Sequence, residues 1–253
     1  MRILVTGSEG SLMQWVIPHL LKAGHSVLGV DNFVRYGEIE RDRNYDFVRG
    51  DLTDHDFVDQ IMKGVDGVIQ AAALIYGVGG FHKYPADILS KDIVLHQNIL
   101  WAMKKYSVGK IAYISSSMVY ERCDTHPSRE EDVDDSLIPS TDYGLGSGEQ
   151  IRCFTWIDDV ASAIAKFSFD KKTRNQIYNL GNPEPVTMKD LARLIYRGDN
   201  ELSFKTVKSF DDDVMIRIPS IEKAEKKLGF RPTKKVAESV ELCVKHTLEI
   251  ENG

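Results

Sequence analysis

The chain is poor in cysteine: three residues, Cys123, Cys153 and Cys243, in a length of 253. An odd number, widely spaced and without a Cys-x-x-Cys pair, points to neither a disulfide framework nor a thiolate metal site, and suits a reducing compartment. Long apolar runs are also missing. Nothing approaches the ~20 consecutive apolar residues that a membrane-spanning helix needs. The N-terminus opens on a strand pattern, without the basic segment, apolar stretch and cleavage site of a secretory leader. A soluble, cytoplasmic protein is the expectation. An excess of positive charge is lacking too, since 32 basic against 38 acidic residues give a net charge of −6. That removes the electrostatic reason to expect nucleic acid or an anionic membrane as partner, so any phosphate must be held locally. The acidic run Asp211 to Asp213 lacks the interleaved ligands and loop glycine of a calcium site, and no metal is expected.

What is present is a regular alternation. Apolar runs at Arg2 to Thr6, Ser26 to Asp31, Asp46 to Val48, Gly67 to Ala72 and Lys110 to Ser115 are separated by helical patterns, among them Leu12 to Ala23 and Ala86 to Tyr106. Strand alternating with helix is the signature of a parallel sheet with crossover connections. The polar segment Glu121 to Thr141 reads as a loop. Beyond it, Phe154 to Phe167, Thr187 to Tyr196 and Ile221 to Leu228 have helical spacing and Gln176 to Leu180 reads as a short strand, which predicts a small mixed C-terminal lobe. The division expected is 1–145 for the first domain and 146–253 for the second. The fold class is α/β.

The segment "RILVTGSEGSLMQWVIPHLLKAGHSVLGVDNF" places Gly7 and Gly10 between a strand and a helix, where backbone amides can face a pyrophosphate without obstruction from side chains. The second strand ends in Asp31, whose carboxylate can accept both ribose hydroxyls of an adenosine and repels the additional phosphate of NADP. Strand, turn, helix and acid in this order predict a Rossmann-type, doubly wound dinucleotide-binding unit that takes NAD. Arg35, just past the acid, reads as a solvated surface charge.

"TGSEGSLM" resembles the Thr-Gly-x-x-Gly-x-x-Gly turn of the extended short-chain dehydrogenase/reductase family, and in particular its NAD-dependent nucleotide-sugar epimerases and dehydratases. Met13 stands where the third glycine is expected, which predicts a slightly displaced helix, and Pro18 lies inside that helix. The resemblance implies cofactor contacts from Gly7, Gly10, Ser11, Leu12, Asp31 and Asn32. It continues in "VRGDLTD", where Asp51 and Leu52 match residues that flank the adenine, and in "VIQAAAL", where Ala72 and Ala73 match positions beside the nicotinamide ribose. Those alanines serve equally well as filling for a buried strand.

"AYISSSMVYE" is similar to the family's Ser-Ser-x-x-Val-Tyr segment and implies Ser116 as the hydroxyl that hydrogen-bonds the reacting sugar oxygen, with Ser117 beside the substrate. Tyr143, in "PSTDYGL", matches the family's acid/base tyrosine. A free phenol has a pKa near ~10 and needs a nearby cation to act as a base at neutral pH. The family supplies a lysine four residues later, but here that position is Ser147, and no lysine occurs between Tyr143 and Lys166. "GSGEQIRCFTWIDDVASAI" resembles a segment that lies far downstream in the family, so the join at Leu145 to Gly146 reads as a large internal deletion.

"VGGFHKYPADIL" is similar to the branch acting on GDP-sugars, the GDP-mannose epimerases and GDP-fucose synthase, which makes a GDP-linked hexose the expected substrate. Met118 replaces that branch's epimerising cysteine, and His82 is a solvated histidine by its polar surroundings. Arg152 and Arg217 match regions whose arginines hold the nucleotide diphosphate, a task suited to a planar, permanently charged fork. Asp158 and Asp159 read as an N-cap and a first-turn acid. Candidate partners are a nucleotide sugar and a second copy of the chain. Two functions follow: an NAD-dependent enzyme that transiently oxidises a nucleotide-linked hexose, or a protein that binds NAD and sugar nucleotide with impaired turnover.

Overall fold

The structure, a computed structural model, describes residues 1–35, 37–38, 40–74, 84–120, 123–133, 148–198, 201–205 and 214–251. Its contacts divide the chain into two compact units, Met1–Ser115 with Ala161–Asn175, and Ser116–Val160 with Gln176–Gly253. The division falls at Ser115 instead of at 145, and a later segment returns to the first unit.

In the first unit, β1 (Arg2–Thr6), β2 (Ser26–Asp31), β3 (Asp46–Arg49), β4 (Gly67–Gln70) and β5 (Ile111–Tyr113) form a five-stranded sheet in the order β3-β2-β1-β4-β5. Every pairing is parallel. The inner strands are buried almost throughout, which is why their sequences are near-continuous apolar runs: a parallel sheet is covered on both faces. The outer strands β3 and β5 are more open. The helices are α1 (Met13–Lys22), α2 (His55–Ile61) and α3 (Pro85–Lys105). Asp54 caps α2 by accepting from the amides of Asp56 and Phe57, and Pro85 sits in the first turn of α3, where its missing N–H costs nothing. Leu4, Leu28 and Val68 from the sheet pack with Val58 and Met62 near α2 and with Leu95 and Ile99 of α3.

The second unit holds β6 (Ile151–Cys153) paired antiparallel with β7 (Pro185–Thr187). With them are α5 (Met188–Ile195), α6 (Glu222–Leu228) and α7 (Val236–Glu251), while α4 (Ile157–Phe167) runs across the division of the chain. Two expectations need correction. Gln176–Leu180 forms no strand: Ile177 is 65% exposed, and the bonds of Asn179 go to Glu130, Ser128 and Ser220, away from any ladder. The short pair β6 and β7 stands in its place. Asp158 and Asp159 both lie inside the first turn of α4, so Asp158 is not its N-cap, while Asp159 is a first-turn acid as expected. Asp159 is 7% exposed and accepts from the amide of Thr233 at 2.9 Å and its hydroxyl at 2.6 Å, which makes it an internal tether. Among the described residues no helix is long and apolar enough to cross a membrane.

Candidate functional site

At the C-terminal ends of the first unit's strands lies a cleft of about 330 Å3. This is where open α/β sheets leave room for a ligand, at the point where strand order reverses across β1 and β4. Ten residues singled out by the sequence border it together: Gly7, Gly10, Ser11, Leu12, Asp31, Asn32, Asp51, Leu52, Ala72 and Ala73. Met13 and Arg35 border it as well, the methionine buried to 1% exposure and the arginine exposed.

The floor of the cleft is fixed by a buried polar pair. Thr6 Oγ1 donates to Gln70 Oε1 at 2.9 Å and accepts from the amides of Ala71 and Ala72 at 3.0 and 3.1 Å, while Gln70 Nε2 donates to the Ala72 carbonyl. These bonds draw the chain out of the sheet after Gln70, two residues earlier than its apolar sequence suggests. Gly7 answers this turn directly. Its φ is +64°, and a Cβ there would lie 3.0 Å from the backbone of Ala72. Only glycine meets both conditions without strain. On the far side, Asn98 of α3 donates from Nδ2 to the carbonyls of Leu52 and Thr53, both at 3.0 Å, and so positions the Asp51–Leu52 segment.

The amides of the turn are partly committed. Those of Ser8, Glu9 and Gly10 bond to the Val30 carbonyl, to Asp31 Oδ2 and to the Gly7 carbonyl. The amides of Ser11, Leu12 and Met13 have no partner among the described residues, and all three residues border the cleft at the start of α1. Unspent donors at a helix N-terminus suit an anion. Asp31 accepts from the Phe33 amide through Oδ1 at 2.8 Å and from the Glu9 amide through Oδ2 at 3.1 Å. An ionised carboxylate offers about four acceptor sites, so each oxygen retains one for a ribose hydroxyl.

Glu9 was missed in the sequence. It is 4% exposed, borders the cleft, and is paired with Arg43, whose Nε and Nη2 donate to Oε1 and Oε2 at 3.1 and 3.0 Å. Tyr45 adds a hydroxyl bond to Oε1 at 2.7 Å. Burial alone would raise the Glu9 carboxyl, but these bonds and the charges of Arg43 and Arg41 outweigh it and hold the group below its ordinary value. A glutamate between two glycines of a phosphate-type turn was the available signal.

The second unit gathers part of the set that the sequence assigned to substrate. Ser116 and Ser117 are exposed at the start of a short 3-10 turn, Ser117–Tyr120, and Ser116 Oγ accepts from the Met118 amide at 3.3 Å. Tyr120 roots this turn through its hydroxyl, which donates to Asn179 Oδ1 at 2.8 Å. Arg217 Nη1 lies 3.7 Å from Met118 Sδ, and the Arg217 amide donates to the Ile151 carbonyl. Arg152 Nη1 donates to that same carbonyl at 2.9 Å. Both arginines are therefore held at β6, with Arg217 against the serine turn. Tyr143, Ser147, His82 and the run Asp211 to Asp213 lie outside the described residues.

Residues 3–145 match the family described as "NAD dependent epimerase/dehydratase family", a stretch that takes in more than half of the chain. The chain belongs to this family. Its relatives include the UDP-glucuronate 4-epimerase of Thermodesulfobacterium geofontis, 26% identical over 315 residues that take in 97% of this chain and 96% of the relative. Among solved structures, the UDP-glucose 4-epimerase of Thermotoga maritima with UDP-glucose superposes with a TM-score of 0.82 at 22% identity, over 99% of each chain. The Stenotrophomonas maltophila UDP-glucose 4-epimerase with bound NAD and formylated UDP-arabinopyranose gives 0.82 at 18%, over 100% of this chain and 99% of that one. These likenesses establish the Rossmann-like α/β fold. NAD is the cofactor of the family, and the cleft fits it: free amides for a diphosphate, a carboxylate with acceptor sites to spare, and a glycine where any side chain would collide.

Proposed function

We propose that the chain holds NAD in the cleft of its first unit and binds a nucleotide-linked hexose whose hydroxyl carbon is transiently oxidised. The observation that carries this reading is the convergence of the Gly7–Leu12 turn, Asp31, Asp51 and the small residues Ala72 and Ala73 on one cleft. In this reading Ser11 and Leu12 give their amides to the diphosphate, Asp31 receives the adenosine ribose, and Asp51 with Leu52 flanks the adenine. Bound NAD supplies a reversible hydride acceptor. Ser116 holds the reacting hydroxyl, and Tyr143 takes its proton and returns it. Arg152 and Arg217 hold the substrate's diphosphate, both permanently charged and both anchored at β6.

The nucleotide is proposed to be uridine diphosphate. "VGGFHKYPADIL" pointed to GDP, but the three relatives described above are named as enzymes of UDP-sugars. Part of that segment, residues 78–83, lies outside the described residues.

A second reading concerns rate. Ser147 occupies the position at which the family carries its lysine, so Tyr143 is without that residue as its activator, and positioned acid/base assistance is typically worth ~10²–10⁴-fold. The proposed internal deletion after Leu145 accounts for that loss. An alignment of 315 positions against a chain of 253 residues leaves many residues of the relative opposite gaps. On the open edge strand β5, Ile111 is 37% and Tyr113 56% exposed, consistent with a sheet shortened on that side. We therefore propose slow turnover for the chain as it stands. The test follows conversion of UDP-linked hexoses by chromatography, with NAD present, for the unmodified chain and for Tyr143→Phe. Slow conversion, lowered further by the substitution, supports the proposal. Conversion at ordinary enzyme rates of about 1–10³ per second would reject the impaired reading.

A further inference from the structure

A carboxylate inside a turn that receives a diphosphate opposes that ligand unless its charge is cancelled, because like charges a few ångströms apart repel strongly where water is excluded. Glu9 is such a group. Its side chain is 3% exposed, so water does little to screen it, and it borders the cleft between Gly7 and Gly10. Arg43 is not among the residues that border the cleft, and it reaches Glu9 with its side chain 21% exposed. Its guanidinium lies 4.3 Å from the ring centre of Phe47 and 6.0 Å from that of Phe33, a platform that fixes the fork where both Glu9 oxygens are within reach. Tyr45 completes the shell, and the Glu9 amide is at the same time bonded to Asp31.

We infer that Arg43 is a positioning residue for the cofactor's diphosphate, acting through Glu9 by cancelling a negative charge in the phosphate-binding turn. The inference rests on the proposed NAD reading of the cleft. It makes the pair asymmetric. Loss of the cation exposes the diphosphate to a bare buried carboxylate, whereas loss of the anion leaves Arg43 as an additional positive charge behind the turn. A clamp that merely held the turn in shape would be harmed equally by either loss.

The test is calorimetric titration of NAD at pH 8 into the unmodified chain, Arg43→Met, Glu9→Gln and the double variant, with a melting curve for each. Arg43→Met is expected to weaken NAD by about tenfold or more. Glu9→Gln is expected to tighten it, and the double variant to return to within about threefold of the unmodified chain. If Arg43→Met alone does not fold, the double variant and Glu9→Gln decide the matter. Weaker binding by Glu9→Gln, a double variant as impaired as Arg43→Met, or full affinity in a folded Arg43→Met would overturn the inference. Failure of the unmodified chain to bind NAD at all would instead reject the cofactor reading on which it rests.

Discussion

The amide of Glu9 donates to Asp31 Oδ2 at 3.1 Å, and this single bond joins the turn after β1 to the acid at the end of β2. The two features from which a dinucleotide cleft was expected are thus one hydrogen-bonded unit. Moving the turn moves an oxygen of Asp31, so changes on either side should register in both diphosphate and ribose recognition.

Gly7→Ala tests the turn. Left-handed backbone costs an ordinary residue roughly 1–2 kcal/mol, and the added methyl would also stand 3.0 Å from Ala72. The expected outcome is a lower melting temperature, by about 2–4 °C for each kcal/mol lost, together with weaker NAD binding. A melting curve and titration matching the unmodified chain would remove Gly7 from the account.

Asp159→Ala tests the second unit. The buried carboxylate accepts two bonds from the exposed Thr233, so its removal undoes both charge-assisted bonds. A loss of about 1–3 kcal/mol is expected from urea unfolding. A first-turn acid that only complements the helix dipole, as the sequence suggested, would cost a few tenths, and a result of that size would contradict the tether.

Cys153 should be the slowest of the three thiols to react. Burial, with a smaller contribution from Glu184, pushes it up from 9.0 to about 11, whereas Cys243 is exposed. The thiolate is the reactive form, so at pH 8 alkylation followed by mass spectrometry should find Cys153 modified last. The sign for stability follows. The folded value is raised, so this group's contribution is complete below pH 9.0 and is lost as pH rises toward about 11. Equal labelling of Cys153 and Cys243 would show that β6 opens freely.

The strands of the sheet were legible to different depths, and the differences have physical causes. β1 and β2 carry the bounds expected from sequence, because inner parallel strands are apolar on both faces and end where polarity returns. β4 stops early because Thr6 takes the amides of Ala71 and Ala72, a contact between residues 65 and 66 positions apart that no local pattern carries. Gln176–Leu180 misled for the converse reason: Ile177, Tyr178 and Leu180 have strand-like chemistry, yet Asn179 is claimed by Glu130, Ser128 and Ser220. The residues that border the cleft were readable because they follow the ends of successive strands and their order is fixed by the topology. Glu9 was not, since its meaning depends on Arg43, 34 residues away.

The nucleotide of the substrate is tested by thermal shift. A ligand that binds only the folded chain raises its melting temperature in proportion to the logarithm of concentration over dissociation constant. With NAD present, UDP-linked hexoses should give a larger shift than GDP-linked ones at equal concentration. A larger shift with the GDP-linked hexose would restore the reading drawn from "VGGFHKYPADIL".

Asp31 carries the central claim, and calorimetric titration of NAD and NADP into the unmodified chain and Asp31→Asn tests it most directly. In the proposed reading the carboxylate accepts ribose hydroxyls and repels an additional phosphate, so the unmodified chain should bind NAD more tightly than NADP, and the substitution should narrow that preference by about tenfold or more. NADP affinity equal to or above that of NAD in the unmodified chain would contradict the account and shift attention to Arg35, which borders the same cleft.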